Sequence, residues 1–274
     1  MFTGASILFA SFIGFDSIAQ AGGEAKNPNK NLPLAIVLAV FIVGLYYFVF
    51  SAAVYHSIPW WYIAEEAKSK DLTAPGLFSI LLSPFWSAFI LAGAAIALLN
   101  DLPGMILSVS RLIFAWAKDG IISPFFAKVH PTTKTPQNAI IFSSFISALG
   151  IAGCHFAGDI FLGIDIMVTS MLINFILICL SVVFLPYKNK EISDKMIGQK
   201  FPGFRSFIAF TGVILLLGLL VFHTIKDLNS ELNQWYFKAT WVWLIIMSLG
   251  SIWFFIYWIK NNNGKTHFMN LPED

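Results

Sequence analysis

The sequence predicts an all-α polytopic membrane protein with about seven transmembrane spans, at roughly 20 apolar residues per crossing plus short loops. Three observations predict it. Of 274 residues, 57% are apolar and only 12% are charged, about half the charged share of a soluble domain. Twenty-eight Phe and nine Trp are more than one globular core hides, so lipid must cover much of the apolar surface. Seven apolar stretches follow one another, each longer than an ordinary core helix, and polar or Pro-bearing segments separate most of them. The same balance excludes a soluble domain and a disordered chain. A net charge of +2 gives no basic field for a nucleic-acid partner.

The first stretch runs from Met1 to Ala19 and contains Phe9-Ala10-Ser11-Phe12-Ile13-Gly14-Phe15-Asp16-Ser17. Its start has no basic region and an Asp interrupts its apolar run, so it is not a cleavable signal. Gly14 weakens a helix at mid-span. A carboxylate at the depth of Asp16 costs a few kcal/mol unless it is paired or faces water. Two readings follow: a helix interrupted near Ser11 to Gly14, whose backbone groups hold a ligand, or a kink with Asp16 near the membrane surface.

The segment Gly22-Gly23-Glu24-Ala25-Lys26-Asn27-Pro28-Asn29-Lys30-Asn31-Leu32-Pro33 reads as a turn-rich loop. It leads into a second span, Leu34 to Tyr55, with Pro33 in its first turn. Trp60, Trp61 and Tyr62 form either an aromatic belt at the headgroups or a lid over a substrate. Glu65, Glu66, Lys68, Lys70 and Asp71 read as a solvated surface helix.

The third stretch, Leu77 to Ala115, is too long for one simple crossing. It divides into a re-entrant or interfacial piece, Leu77 to Leu82, and a long tilted helix after Pro84. Asn100-Asp101-Leu102-Pro103-Gly104 suggests a local opening of that helix, against a plain kink. Arg111 snorkels to the cytoplasmic face. The fourth and fifth spans, Asn138 to Phe156 and Ile160 to Leu185, are joined by a tight outer hairpin around Gly158 and Asp159. Asp159, before the fifth span, and Asp165, within it, are near the outer end, within reach of water. Ser170 and Asn174, four apart, share a helical face; they serve either as interhelical hydrogen-bonding groups or as part of a solute-lining wall. The sixth and seventh spans are Phe207 to Thr224 and Tyr236 to Ile259. Cys154 and Cys179 lie inside apolar runs and read as small buried residues rather than a disulfide or metal pair.

Charge orients the chain. Lys26, Lys30, Arg111, Lys118, Lys128, Lys134, Lys188, Lys190, Lys195, Lys200, Arg205, Lys260 and Lys265 fall in one set of alternate loops, thirteen of the seventeen basic residues. The positive-inside rule places that set in the cytoplasm, with the N-terminus outside and the C-terminus inside. Starting outside at Met1 with no leader is an arrangement expected of the second half of a longer protein. No catalytic constellation is present, so the chain is not read as an enzyme and no cofactor is expected. The five histidines sit at or beyond span ends and form no metal-spaced pair. A phosphate-binding GxxxxGK[ST] loop is also missing.

Phe12-Ile13-Gly14-Phe15-Asp16-Ser17, then Gly23-Glu24-Ala25-Lys26-Asn27-Pro28 and Asn31-Leu32-Pro33, resembles the sixth helix and following loop of amino-acid permeases of the amino acid–polyamine–organocation (APC) superfamily. Ser110-Arg111-Leu112, Trp116-Ala117-Lys118-Asp119-Gly120 and the stretch from Ala127-Lys128-Val129-His130-Pro131 to Lys134-Thr135-Pro136 are similar to its eighth helix and the loop after it. The resemblance implies a LeuT-type fold of two inverted five-helix repeats plus two further helices. Residues 1–185 would be the second repeat, with spans at about 1–19, 34–55, 84–115, 138–156 and 160–185. Residues 186–274 would hold the two added spans and a cytoplasmic tail.

The same resemblance implies site residues. Ser11, Phe12, Ile13 and Gly14 would form the unwound stretch that binds the substrate's amino group, and Phe15 would pack over the pocket. Met105, Ser170 and Asn174 would face it from the eighth and tenth helices, and Asp16 would couple transport to protons or conformation. Ala10 stands where relatives often carry a gating Phe or Trp, and Phe9 is the neighbouring ring. The function implied is secondary active transport of an amino acid or related amine by alternating access, proton-coupled or by exchange. The location implied is the cell membrane, with the first repeat, helices one to five, as a required partner. Two other readings stand beside it: a non-transporting truncated fragment or split subunit of such a permease, and a seven-helix receptor or sensor. The break at Gly14 with Asp16 argues against the receptor.

Overall fold

The computed structural model describes residues 8–20, 22, 25–66, 77, 82–157, 161–189, 202–230 and 238–261. Residues 78–81 of the expected re-entrant piece, the hairpin at Gly158 and Asp159, and the end of the surface helix at Lys68, Lys70 and Asp71 lie outside them. Every described element is a helix. After helical residues 8–12 come α1 (Asp16–Gln20), α2 (Pro28–Ser57), α3 (Trp60–Glu66), α4 (Pro84–Lys118), a 3₁₀ turn (Pro124–Ala127), α5 (Gln137–Ala157), α6 (Phe161–Lys188), α7 (Pro202–Leu228) and α8 (Ala239–Asn261). Six of these are long and apolar enough to cross a membrane, and they coincide with the second to seventh expected spans. Their outward residues are apolar, with Phe48, Phe85, Phe89 and Ile151 largely uncovered. Lipid is the solvent those faces fit.

The chain divides into two compact units, residues 14–112 and residues 1–13 with 113–274. In the first unit, Asn27 takes a left-handed conformation (φ 49°) and Pro28 occupies the first turn of α2. The amides of Lys30 and Asn31 both donate to the Asn27 carbonyl, at 3.1 and 3.0 Å. This start lies six residues before the expected one at Leu34. Pro28 is preorganised for a first turn, and Pro33 removes only one ladder bond near the helix end. Trp60–Tyr62 belong to the short helix α3 rather than to an irregular loop. The expected opening at Asn100–Gly104 is not observed, and α4 continues through Pro103. Thirty-five helical residues extend about 52 Å. That is more than the hydrocarbon core of a bilayer, so the single lost bond at Pro103 interrupts a helix with length to spare.

In the second unit, the end of α4 stops in a Schellman motif. Gly120 has φ 74°, its amide donates to the Ala117 carbonyl at 3.4 Å, and the Ile121 amide donates to the Trp116 carbonyl at 2.9 Å. The Trp116-Ala117-Lys118-Asp119-Gly120 motif is therefore a helix stop. Ile113, Ala117, Ile122 and Ala139 form a small core behind it, with Phe126 and Phe142 packed alongside. Asn138 Nδ2 ties the start of α5 to the Phe125 carbonyl at 2.9 Å.

α6 is the hub of this unit, packing most extensively on α7 and also on α8 and α5. Leu162, Val168, Thr169, Leu172 and Ile176 form its buried stripe, and Ala209, Val213, His223 and Asp227 that of α7. Close approach is bought by small residues: a Cβ on Gly163 would stand 3.2 Å from Cys154 Sγ, and one on Gly212 3.3 Å from Cys179 Sγ. Both thiols are free and half-buried, not fully buried as expected from the sequence.

Candidate functional site

The helix that carries Gly14 breaks within the first span. Residues 13–15 are a turn between helical residues 8–12 and α1. Gly14 adopts φ 129°, a region that L-residues rarely enter. No atom lies within 4 Å of where its Cβ would stand, so the glycine is required by backbone conformation and not by crowding. Around it the amides step back three residues rather than four: Ile13 to Ala10 at 3.2 Å, Ser17 to Gly14 at 3.1 Å and Ile18 to Phe15 at 3.2 Å. The Gly14 amide donates instead to Asp16 Oδ1 at 3.1 Å. Asp16 thus satisfies a group that the break releases, and it places negative charge in the first turn of α1, where the helix dipole favours it. The break sits one to two residues further along than the expected Ser11 to Gly14.

Ser11 and Ala10, on the N-terminal side of the break, line a partly open cavity of about 210 Å³ together with Phe161, Ile164, Asp165 and Val168 of α6 and Lys226 of α7. Phe9, beside Ala10, meets Phe175 of α6 edge to face, with ring centroids 6.1 Å apart. Phe12, Ile13, Phe15 and Asp16 are half-buried, and Gly14 is exposed. Met105 belongs to α4 in the other unit and is exposed.

Ser170 and Asn174 are exposed on α6 and, among the described residues, are not in the lining of that cavity. The Ser170 hydroxyl donates to the Ile166 carbonyl at 2.9 Å and accepts from Trp243 Nε1 of α8 at 2.9 Å. It therefore links two helices.

Sequence reasoning missed one group. His223, set aside as a span-end residue, is 3% exposed, and its Nε2 lies 3.3 Å from the Asp165 carbonyl oxygen. Asp227, one turn on, is also buried; its two carboxylate oxygens accept from the amides of Ala239 at 2.9 Å and Thr240 at 2.8 Å, capping α8 from the preceding helix. The spacing of His223, Lys226 and Asp227 at i, i+3 and i+4 puts polar groups on adjoining positions of one helix, and that is the signal that could have found them.

The profile of the amino acid permease family matches residues 1–250. The chain belongs to the amino acid permease family, within the APC superfamily. It is 27% identical over 260 residues to the branched-chain amino acid permease BcaP of Bacillus subtilis (strain 168), covering 85% of this chain and 52% of that one. It is 30% identical over 151 residues to cationic amino acid transporter 3, mitochondrial, of Arabidopsis thaliana (54% of this chain, 24% of that one). It is 31% identical over 134 residues to cationic amino acid transporter 4 of Homo sapiens (48% and 20%). The chain thus spans about half or less of the length of these relatives. No solved structure gives a significant match. Six helices long and apolar enough to cross a membrane, among the described residues, and the family make the chain an integral membrane protein.

Proposed function

We propose that this permease chain is the second inverted repeat, with two added spans, of a secondary active amino-acid transporter that works by alternating access. The observation that carries the reading is the turn at Ile13–Phe15. Backbone taken out of a helix inside a membrane persists where it lines protein or water, and broken helices at mid-membrane are how such transporters build solute sites. In this reading Ser11, Phe12, Ile13 and Gly14 present backbone groups to the substrate's amino group, and Phe15 and Met105 close over it. Asn174 adds a polar contact. Ser170 joins in a state where its bond to Trp243 is released. Asp16 couples the cycle to protons or conformation through its hold on the Gly14 amide.

A site of this kind lies between two repeats. A first-repeat polypeptide, helices one to five of the fold, is therefore the proposed partner. The distribution of basic residues supports an outside N-terminus and a cytoplasmic C-terminus, and the proposed location is the cell membrane.

Uptake of labelled amino acids into proteoliposomes holding the chain with a first-repeat polypeptide tests the reading. Saturable uptake driven by an outside-acid gradient supports symport, and uptake accelerated by internal amino acid supports exchange. A complete assembly showing neither contradicts the proposal.

A further inference from the structure

α6 and α7 bring opposite charges to one partly open cavity, with Asp165 half-buried and Lys226 exposed. Asp165 lies in the second turn of α6 and Lys226 in the last turn of α7, and both line the cavity of about 210 Å³ beside Ala10 and Ser11. Each charge complements its own helix dipole, the carboxylate near an N-terminus and the ammonium near a C-terminus. The rest of the lining from α6 is Phe161, Ile164 and Val168, which is wholly apolar. The contact of His223 Nε2 with the Asp165 carbonyl at 3.3 Å ties the two helices together within a turn of Lys226.

We propose that this cavity is a binding site for a neutral, zwitterionic α-amino acid. Asp165 receives the ammonium, Lys226 receives the carboxylate, and Phe161, Ile164 and Val168 take an aliphatic side chain. Two fixed charges of opposite sign match the two charges every free amino acid carries. The apolar wall offers no partner to a cationic side chain, so leucine is bound in preference to arginine. The inference rests on the amino-acid reading above and adds a substrate contact region that includes Ser11 but not the turn at Gly14.

The test is equilibrium binding of labelled L-leucine to the 274-residue chain in nanodiscs. Competitors are 4-methylpentanoate, which lacks the amine, and 3-methylbutylamine, which lacks the carboxylate. On the wild-type chain both half-analogues displace leucine and arginine competes poorly. Asp165→Asn weakens leucine and 3-methylbutylamine roughly ten- to hundred-fold, the scale of one charge-assisted hydrogen bond, and spares 4-methylpentanoate. Lys226→Met does the reverse. The double exchange Asp165→Lys with Lys226→Asp recovers leucine binding, a result a misfolded chain could not give. The inference is overturned by a wild-type chain that binds no leucine, by half-analogues that do not compete, by leucine binding indifferent to both substitutions, or by an exchange variant of native elution that binds none. Binding that fails with Gly14→Ala but survives both charge substitutions removes this inference alone and leaves the proposed transporter site standing.

Discussion

Replacing Gly14 by Ala separates a conformational requirement from a packing one. Gly14 holds φ 129° with no atom within 4 Å of a would-be Cβ, so the methyl group meets no obstacle and the whole cost falls on the backbone. Holding a non-glycine residue in such a region costs about 1–3 kcal/mol. That is roughly a five- to 150-fold change in an equilibrium constant, appearing either as weakened substrate binding at the turn or as closure of the turn into continuous helix. Two other glycines calibrate the result. Gly104 lies inside α4, also with no atom within 4 Å, and Gly104→Ala should stabilise by about 0.5–1 kcal/mol as an ordinary helix interior position. Gly120, at φ 74° in the helix stop, should cost about 1–2 kcal/mol as Ala. Tryptophan fluorescence during titration of the purified chain with sodium dodecyl sulfate reads the three stabilities, and amino-acid affinity of the reconstituted assembly reads the turn. Equal, near-silent behaviour of Gly14→Ala and Gly104→Ala would refute the reasoning, since it would mean that the turn carries no conformational demand.

Three further outcomes follow from the geometry. Asp227→Ala should destabilise the chain by about 2–4 kcal/mol, because it strands the amides of Ala239 and Thr240 and removes a charged cap; Asp227→Asn, which keeps one acceptor, should cost less in the same denaturant titration. Gly212→Val should cost about 1–3 kcal/mol by overpacking against Cys179 Sγ, which stands 3.3 Å from the added Cβ, and Cys179→Ala should recover part of it in a double-mutant cycle. Asp16→Asn retains an oxygen for the Gly14 amide but loses the carboxylate charge, so the pH–uptake profile of the assembly should flatten while expression and unfolding stay near wild type.

Much of this fold is written in hydropathy. The six crossing helices fall where the apolar runs fall, because in lipid a helix must bond its own backbone and its length is set by the bilayer. The break was legible as Gly14 beside Asp16, but its position shifted to Ile13–Phe15 because the glycine occupies the middle of the turn. Asn100–Gly104 misled for the opposite reason: polar residues beside Pro103 resemble a break, yet a long helix absorbs one missing bond. The link from Ser170 to Trp243 joins residues 73 apart in sequence, and no local pattern announces it. The union of Asp165, His223 and Lys226 was hidden in the same way, since α6 and α7 meet only through tertiary packing. Asp227 caps a helix that starts twelve residues further on, and no local pattern marks it as that helix's cap.

The most direct test of the central claim compares saturable uptake of labelled leucine and arginine by the chain alone, by the chain with a first-repeat polypeptide, and by the latter carrying Gly14→Ala. The account predicts none for the chain alone, uptake when the opposing repeat is supplied, and its loss or marked weakening when the turn is altered. Substrate-specific uptake by the purified chain alone, unchanged by Gly14→Ala, would contradict a site built from the broken helix between two repeats.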